Sequence, residues 1–410
     1  MFEQLFKTEE TVWRYRNAPL ASSRADYVEK CSGQGWSRSA LLTIVATHLH
    51  LARDLSLDPE RRVSLEEVQC ALGRWSGSPA PENGNKGSRS WKTRRRHAVM
   101  WLEQAGLLEP EEAPVPPHAA WTDDFAHWLQ HDCGRSVGTV RVYCGWVDRF
   151  LGQFPEADVI TVAHLDSALE RSACKGLSRH TMRIFGTALR TFFRYADPRG
   201  WCEPGLADAV LLPRIPTQAG LPSAPSPEEI ERLLASVDGD QPAHLRDRAI
   251  LLLLQQYGLR AGEVSGLRLD DIDWDQSTLV VRRPKTGSHD RFPLTDTAGQ
   301  ALARYISEAR PRRRCREVFL KLTAPTTPLS AATVSTLVYR RMRAIGVTRP
   351  RCGAHSLRHA FARRLLSKGF AMHEIGDCLG HRSPDSTAYY AKVDLAALRC
   401  VADIDLEGLV

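Results

Sequence analysis

Residues 353–366 read "GAHSLRHAFARRLL". The stretch predicts a helix, and His355 and Arg358, three apart near its start, face the same side. Alone, a His-x-x-Arg pair is an ordinary capping or ion-pair feature. Its meaning rests on what the rest of the chain sets around it. Upstream, "YGLRAGEVSGLRLDDI" (257–272) places Arg260 just after a buried-looking helix, where it could simply pair with Glu263. "STLVVRRPKTGSHDRFPL" (277–294) reads as two strands around a turn, with Lys285-Thr286-Gly287 at the tip. A lysine there is ordinarily a solvated charge. Downstream, "LGHRSPDSTAYYAKV" (379–393) adds His381 and the doublet Tyr389-Tyr390. A Gly-His pair is ordinarily a capped helix end, and an aromatic doublet is ordinarily packing.

The surrounding chain narrows the class. At ~100–200 residues per domain, 410 residues predict two to four domains. Hydrophobic residues at 43% and charged residues at 25% fit a soluble globular protein with a sizeable core. The net charge of +7 and pI near 8.9 are compatible with a polyanionic partner. None of the 10 cysteines sits in a CxxC pair or at zinc spacing, so they read as scattered reduced thiols, with no metal site and no cofactor expected. The charged N-terminus "MFEQLFKTEETVWRYR" lacks the apolar core of a secretory signal. The run "AILLLL" (249–254) falls far short of the ~20 residues of a membrane span. The expectation is a soluble cytoplasmic protein.

Three irregular stretches divide the chain: "SGSPAPENGNKGSRS" (76–90), "EPEEAPVPPH" (109–118) and "LPRIPTQAGLPSAPSPEE" (212–229). The last ends on a helix start, with Ser226 as N-cap and Pro227 in the first turn. The predicted domains are 1–112 and 118–212, both helical, then a linker over 213–226 and a mixed α+β domain over 227–410. The fold class is mainly α with a small β-hairpin or sheet. Residues 1–112 read as a possible second copy of 118–212. "GWSRSALLTIVATHLHLARDL" parallels "GRSVGTVRVYCGWVDRFLGQF", and "HAVMWLEQAGLLEP" parallels "RTFFRYADPRGWCEP".

In this order and at this spacing, Arg, Lys on a hairpin, His-x-x-Arg, His and Tyr closely resemble the catalytic domain of the tyrosine recombinases, the phage integrase family. The words "GLRAGEVSGLRLDDID", "KTG", "HSLRHAFA" and "LGH" carry the likeness over about 225–395. Residues 118–212 resemble the family's SAM-like core-binding domain, and the first ~110 residues lie outside its two-domain plan. The resemblance implies a catalytic set of Arg260, Lys285, His355, Arg358, His381 and Tyr390. Counted from His381, the family pattern reaches Tyr390 as nucleophile and leaves Tyr389 a packing position.

The residue types suit phosphodiester chemistry. Two guanidiniums can each grip non-bridging oxygens with paired donors, and preorganised charge of this kind is a large catalytic term. A phenol, with a reference pKa of ~10, needs help to attack at neutral pH. His355 is the candidate base, and the resemblance makes Lys285 the acid that protonates the leaving 5′ oxygen. His381 would hydrogen-bond the phosphate. The product is a covalent 3′-phosphotyrosyl link whose religation needs no ATP.

DNA contacts are expected from Arg179, Arg183, Arg190 and Arg194 in the middle segment. Arg340, Arg341 and Arg343 are expected to add to them from "STLVYRRMRAIGVTRPR". The basic run "RPRRRCR" (310–316) reads as a loop or helix end without a clear role. The implied activity is site-specific recombination for integration or transposition of a mobile element, by a homo-multimer, a tetramer on two DNA sites. Other recombinases of the same element are further candidate partners, and the length fits elements that encode three such enzymes in a row. The expected location is the bacterial nucleoid. The alternatives are a type IB topoisomerase-like relaxing enzyme and a catalytically inactive architectural DNA-binding protein.

Overall fold

The computed structural model describes residues 1–76, 89–110, 118–213, 224–283, 287–348 and 352–380. Contacts divide it into two units, Met1–Glu109 with Gly220–Val410, and Pro110–Ala219. The first unit opens with the short helices α1 (Phe2–Leu5) and α2 (Glu9–Arg16). Four longer helices follow: α3 (Ala21–Gly33), α4 (Arg38–Asp54), α5 (Leu65–Ser76) and α6 (Arg89–Ala105). The second unit has α7 (Ala119–His131), α8 (Val137–Leu151), α9 (Val162–Cys174), α10 (Arg179–Ala196) and the short α11 (Leu206–Ala209). Serine hydroxyls start several of these helices. Ser37, Ser136 and Ser178 each accept the N–H three residues on, a cap typically worth ~1 kcal/mol.

The two four-helix groups agree position by position. Tyr27 and Cys31 are buried on α3, as Phe125 and Leu129 are on α7. Leu41, His48, Leu51 and Ala52 of α4 answer Val140, Val147, Phe150 and Leu151 of α8. Val68 and Ala71 of α5 answer Leu165 and Ala168 of α9, and Trp101 and Leu102 of α6 answer Tyr195 and Ala196 of α10. The third helix of each group opens on a reciprocal cap, Ser64 with Glu67 and Thr161 with His164. Each group is closed by the same pair of main-chain bonds, all 2.9 Å. Val63 N–H donates to Leu107 O and Glu109 N–H to Val63 O. Ile160 N–H donates to Trp201 O and Glu203 N–H to Ile160 O.

The remainder of the first unit carries its own core. It runs α12 (Pro227–Ala235), α13 (Pro242–Tyr257), α14 (Ala261–Ser265), β1 (Ile272–Asp273), β2 (Thr278–Arg283), β3 (Ser288–Pro293) and α15 (Asp296–Arg304). A π-helical turn (Tyr305–Ala309), α16 (Ala331–Ala344), α17 (Ala354–Ser367) and α18 (Met372–Leu379) follow. The strands form one antiparallel sheet in the order β1-β2-β3, with Leu279 opposite Phe292 and Arg283 opposite Ser288. The predicted start of α12 is present. Ser226 caps it in a reciprocal box with Glu229, and Pro227 is its first residue. The apolar run 249–254 is buried on every side, because α13 packs against both α15 and α17.

The basic run 310–316 follows the π-helical turn, and three of its arginines are tied into the fold. Arg310 donates to the carbonyls of Cys315, Glu317 and Val318, and Arg316 pairs with Asp270. Arg313 donates to Gly33 O (2.9 Å) and to Thr326 Oγ1 (2.7 Å), while Thr326 donates to Gln34 O (3.0 Å). This seam joins the end of α3 to the sheet-bearing core. Among the described residues, no helix is long and apolar enough to cross a membrane, and the cysteines are free thiols.

Candidate active site

The site is assembled where α13 ends, α14 and α17 begin, and α18 stops. Gly258 ends α13 in the left-handed region (φ 62°), and a Cβ there would lie 2.5 Å from the Phe361 ring. Only glycine gives both that turn and that approach. Two residues on, Arg260 caps α14. Its N–H donates to Glu263 Oε2 (2.8 Å), its Nη1 to Glu263 Oε1 (2.7 Å) and its Nη2 to Gly380 O (3.2 Å). The Arg260–Glu263 pair is therefore present, but not as a surface pair. Glu263 is only 6% exposed and holds Arg260 from beneath.

On α17, His355 and Arg358 come together at the helix start but differ in depth. His355 is exposed, with its ring 4.3 Å from that of His359. Arg358 is 2% exposed and reaches inward, donating to Gly258 O (2.7 Å) and Leu379 O (2.5 Å). The last carbonyls of α18 thus receive guanidiniums from two elements far apart in the chain. A helix C-terminus carries partial negative charge and favours cations there. Gly380, in the left-handed region, directly precedes His381.

Two participants escaped the sequence reading. Glu263 was noted only as an incidental partner. Arg283 was not singled out, yet it lies inside the site. It is 2% exposed and is bonded to Glu263, Asp290 and the carbonyls of Cys378 and Leu379. The alternation of β2, with Leu279, Val281 and Arg283 all facing inward, is the signal that could have revealed it.

Lys285, His381, Tyr389 and Tyr390 lie outside the described residues. Of the expected DNA-contacting arginines, Arg179, Arg183, Arg194, Arg340 and Arg343 are exposed. Arg190 is half-buried and donates to Val210 O (2.5 Å). Arg341 is taken up by the buried carboxylate of Asp247, with Nε at 2.9 Å and Nη2 at 2.7 Å. This pair ties α16 to α13. Among the described residues, no group of three His, Cys, Asp or Glu side chains is placed to hold a metal ion.

Buttressed arginines beside an exposed histidine form a site suited to a phosphoryl anion. The comparisons with known proteins specify the class. Residues 226–396 match the phage integrase family and residues 122–200 the phage integrase N-terminal SAM-like domain. An integrase/recombinase of Sinorhizobium fredii strain NGR234, y4rA, is 41% identical over 318 residues, covering 75% of this chain and 76% of that one. A second from the same organism, y4rF, is 34% identical over 328 residues, covering 76% of each. The structure of XerH site-specific recombinase bound to palindromic difH substrate aligns with a TM-score of 0.54 at 22% identity. It covers 69% of this chain and 83% of that one. The chain belongs to the phage integrase family and is a tyrosine-type site-specific recombinase.

Proposed function

We propose that the protein breaks and rejoins duplex DNA through a covalent link to Tyr390, in the service of a mobile element. The observation that carries this reading is that Arg260 and Arg358 bond the carbonyls of Gly380 and Leu379, one and two residues before His381. The guanidiniums grip the non-bridging oxygens of the scissile phosphate and offset the charge that grows as a fifth oxygen approaches. The Tyr390 phenol attacks phosphorus, and its proton passes to His355. The bond from phosphorus to the 5′ oxygen breaks, and Lys285 protonates that oxygen. His381 hydrogen-bonds the phosphate. One phosphodiester is exchanged for another, so a 5′ hydroxyl can reverse the step without ATP.

DNA as partner is supported by the XerH neighbour, which is bound to its substrate in a post-cleavage complex. The domain plan we infer is a helical domain over 1–112, the SAM-like domain over 118–212, a linker over 213–226 and the catalytic domain over 227–410. The positional agreement of the two four-helix groups supports reading the first as a duplicate of the second that adds a DNA-binding surface. A tetramer on two sites, and joint action with other recombinases of the element, follow from the same reading. Its test is a nicked duplex that loses its 5′ fragment on cleavage. The protein should become covalently joined to the 3′ end and should pair and exchange two such sites. Relaxation of supercoils without exchange between sites would favour the topoisomerase-like reading.

A further inference from the structure

Arg283 is a charged side chain only 2% exposed. Taking a guanidinium out of water is costly unless its donors are matched. Here they are matched in a particular way. Nε pairs with Asp290 on β3. Nη1 donates to Leu379 O (2.8 Å) and lies 3.4 Å from Glu263 Oε1, while Nη2 donates to Cys378 O (3.0 Å). Two of these acceptors are shared with the reaction machinery. Glu263 Oε1 also receives Arg260 Nη1, and Leu379 O also receives Arg358 Nη2. A continuous path therefore runs from Arg260 through Glu263, Arg283 and Leu379 O to Arg358.

We propose that Arg283 is a positioning residue that fixes the spacing of the Arg260 and Arg358 guanidiniums. The inference rests on the reading of those two arginines as phosphate-gripping groups. Only a planar fork can reach a carboxylate on α14, a carboxylate on β3 and two carbonyls of α18 at once; the single ammonium of a lysine cannot. The fit is close, since a Cβ on Gly380 would lie 2.6 Å from Arg283 Cζ. The charges also agree. Glu263 and Asp290 offset part of the positive charge that Arg260 and Arg283 bring to the site.

The test is single-turnover cleavage of a nicked duplex whose scissile phosphate is either ordinary or a neutral methylphosphonate. Arg283→Gln should slow the ordinary substrate by on the order of 10²-fold, the loss typical of one misplaced charge-stabilising donor. On the methylphosphonate, which has less charge to stabilise, the loss should shrink to severalfold. Arg283→Lys should stay slow on the ordinary substrate, because charge without the fork does not set the spacing. Asp290→Asn removes a partner at a partly exposed position, and it decides the matter if the Arg283 variants do not fold. It should show the same pattern at about tenfold, a fraction of the effect of losing a whole donor. Equal losses on both substrates, no loss, or full rescue by lysine would overturn the proposal. Arg260→Ala and Arg358→Ala separate the two levels. If their losses do not shrink on the methylphosphonate, the phosphate-gripping reading fails. If theirs shrink and that of Arg283→Gln does not, only the role of Arg283 fails.

Discussion

Helices α3–α6 and α7–α10 build one four-helix plan from two different interiors. The second group fills its centre with Phe125, Phe150, Phe192 and Phe193. The first buries Arg24, Thr47, His48 and His97 among its apolar side chains. Arg24 donates to the carbonyls of Tyr15, Ala18 and Pro19, and His97 Nδ1 lies 2.9 Å from the Tyr27 hydroxyl. What the groups share is the placement of caps, left-handed glycines and inward positions. Those features fix the path of the chain, and the chemistry of the core can then diverge around them.

The largest expected difference is in acid. Burial holds His48 at a pKa of about 3 and His97 at about 4, against an ordinary value of 6.5. Both stay neutral in the folded protein, while the unfolded chain takes up protons below 6.5. Their stability contribution is thus complete above pH 6.5 and is lost as pH falls toward the folded values. By pH 5 this is about 2 kcal/mol for each histidine. The second group has Val147 and Thr191 at the matching positions. Hydrogen exchange at pH 7.5 and pH 5, referred to intrinsic rates, should show protection falling in α3–α6 and holding in α7–α10. His48→Val should flatten that response, and parallel behaviour of both groups would contradict the account.

A smaller difference is expected at the glycines before α4 and α8. Gly35 and Gly134 both have positive φ, 89° and 59°. A Cβ on Gly35 would lie 1.8 Å from Arg313 Nη2, while one on Gly134 would meet nothing within 4 Å. Gly134→Ala should cost only backbone strain, about 1 kcal/mol. Gly35→Ala should cost about twice that and raise exchange around Arg313 and Thr326. Equal costs in denaturant titrations would remove the seam from the account.

The smallest effect concerns DNA. Lys92 and Arg96 are exposed on α6, as Arg179 and Arg183 are on α10. If both groups lie on phosphate, each neutralised charge should lower the salt slope of binding by about one unit. A slope that falls for the second pair and not for the first would make the duplication structural only.

The parts of this architecture that were legible in the sequence are those written in local patterns. The Ser226 cap, the strand pair around Lys285 and the His-x-x-Arg helix start depend on neighbours a few residues away. The partners of Arg341 and Arg283 do not. Asp247 stands 94 residues from Arg341, and Leu379 stands 96 from Arg283. No periodicity links such pairs, so the Asp247 partner of Arg341 and the burial of Arg283 went unremarked. Arg260 and Arg358 were legible through the family's motif order rather than through any one contact.

The central claim is covalent catalysis by one phenol of an adjacent pair. Its most direct test is to trap the protein on a nicked duplex, digest the adduct and identify the DNA-linked residue, with Tyr389→Phe and Tyr390→Phe alongside. The account predicts nucleotide on Tyr390, normal binding without adduct for Tyr390→Phe, and retained adduct for Tyr389→Phe. Nucleotide on Tyr389, with adduct lost only in Tyr389→Phe, would contradict it.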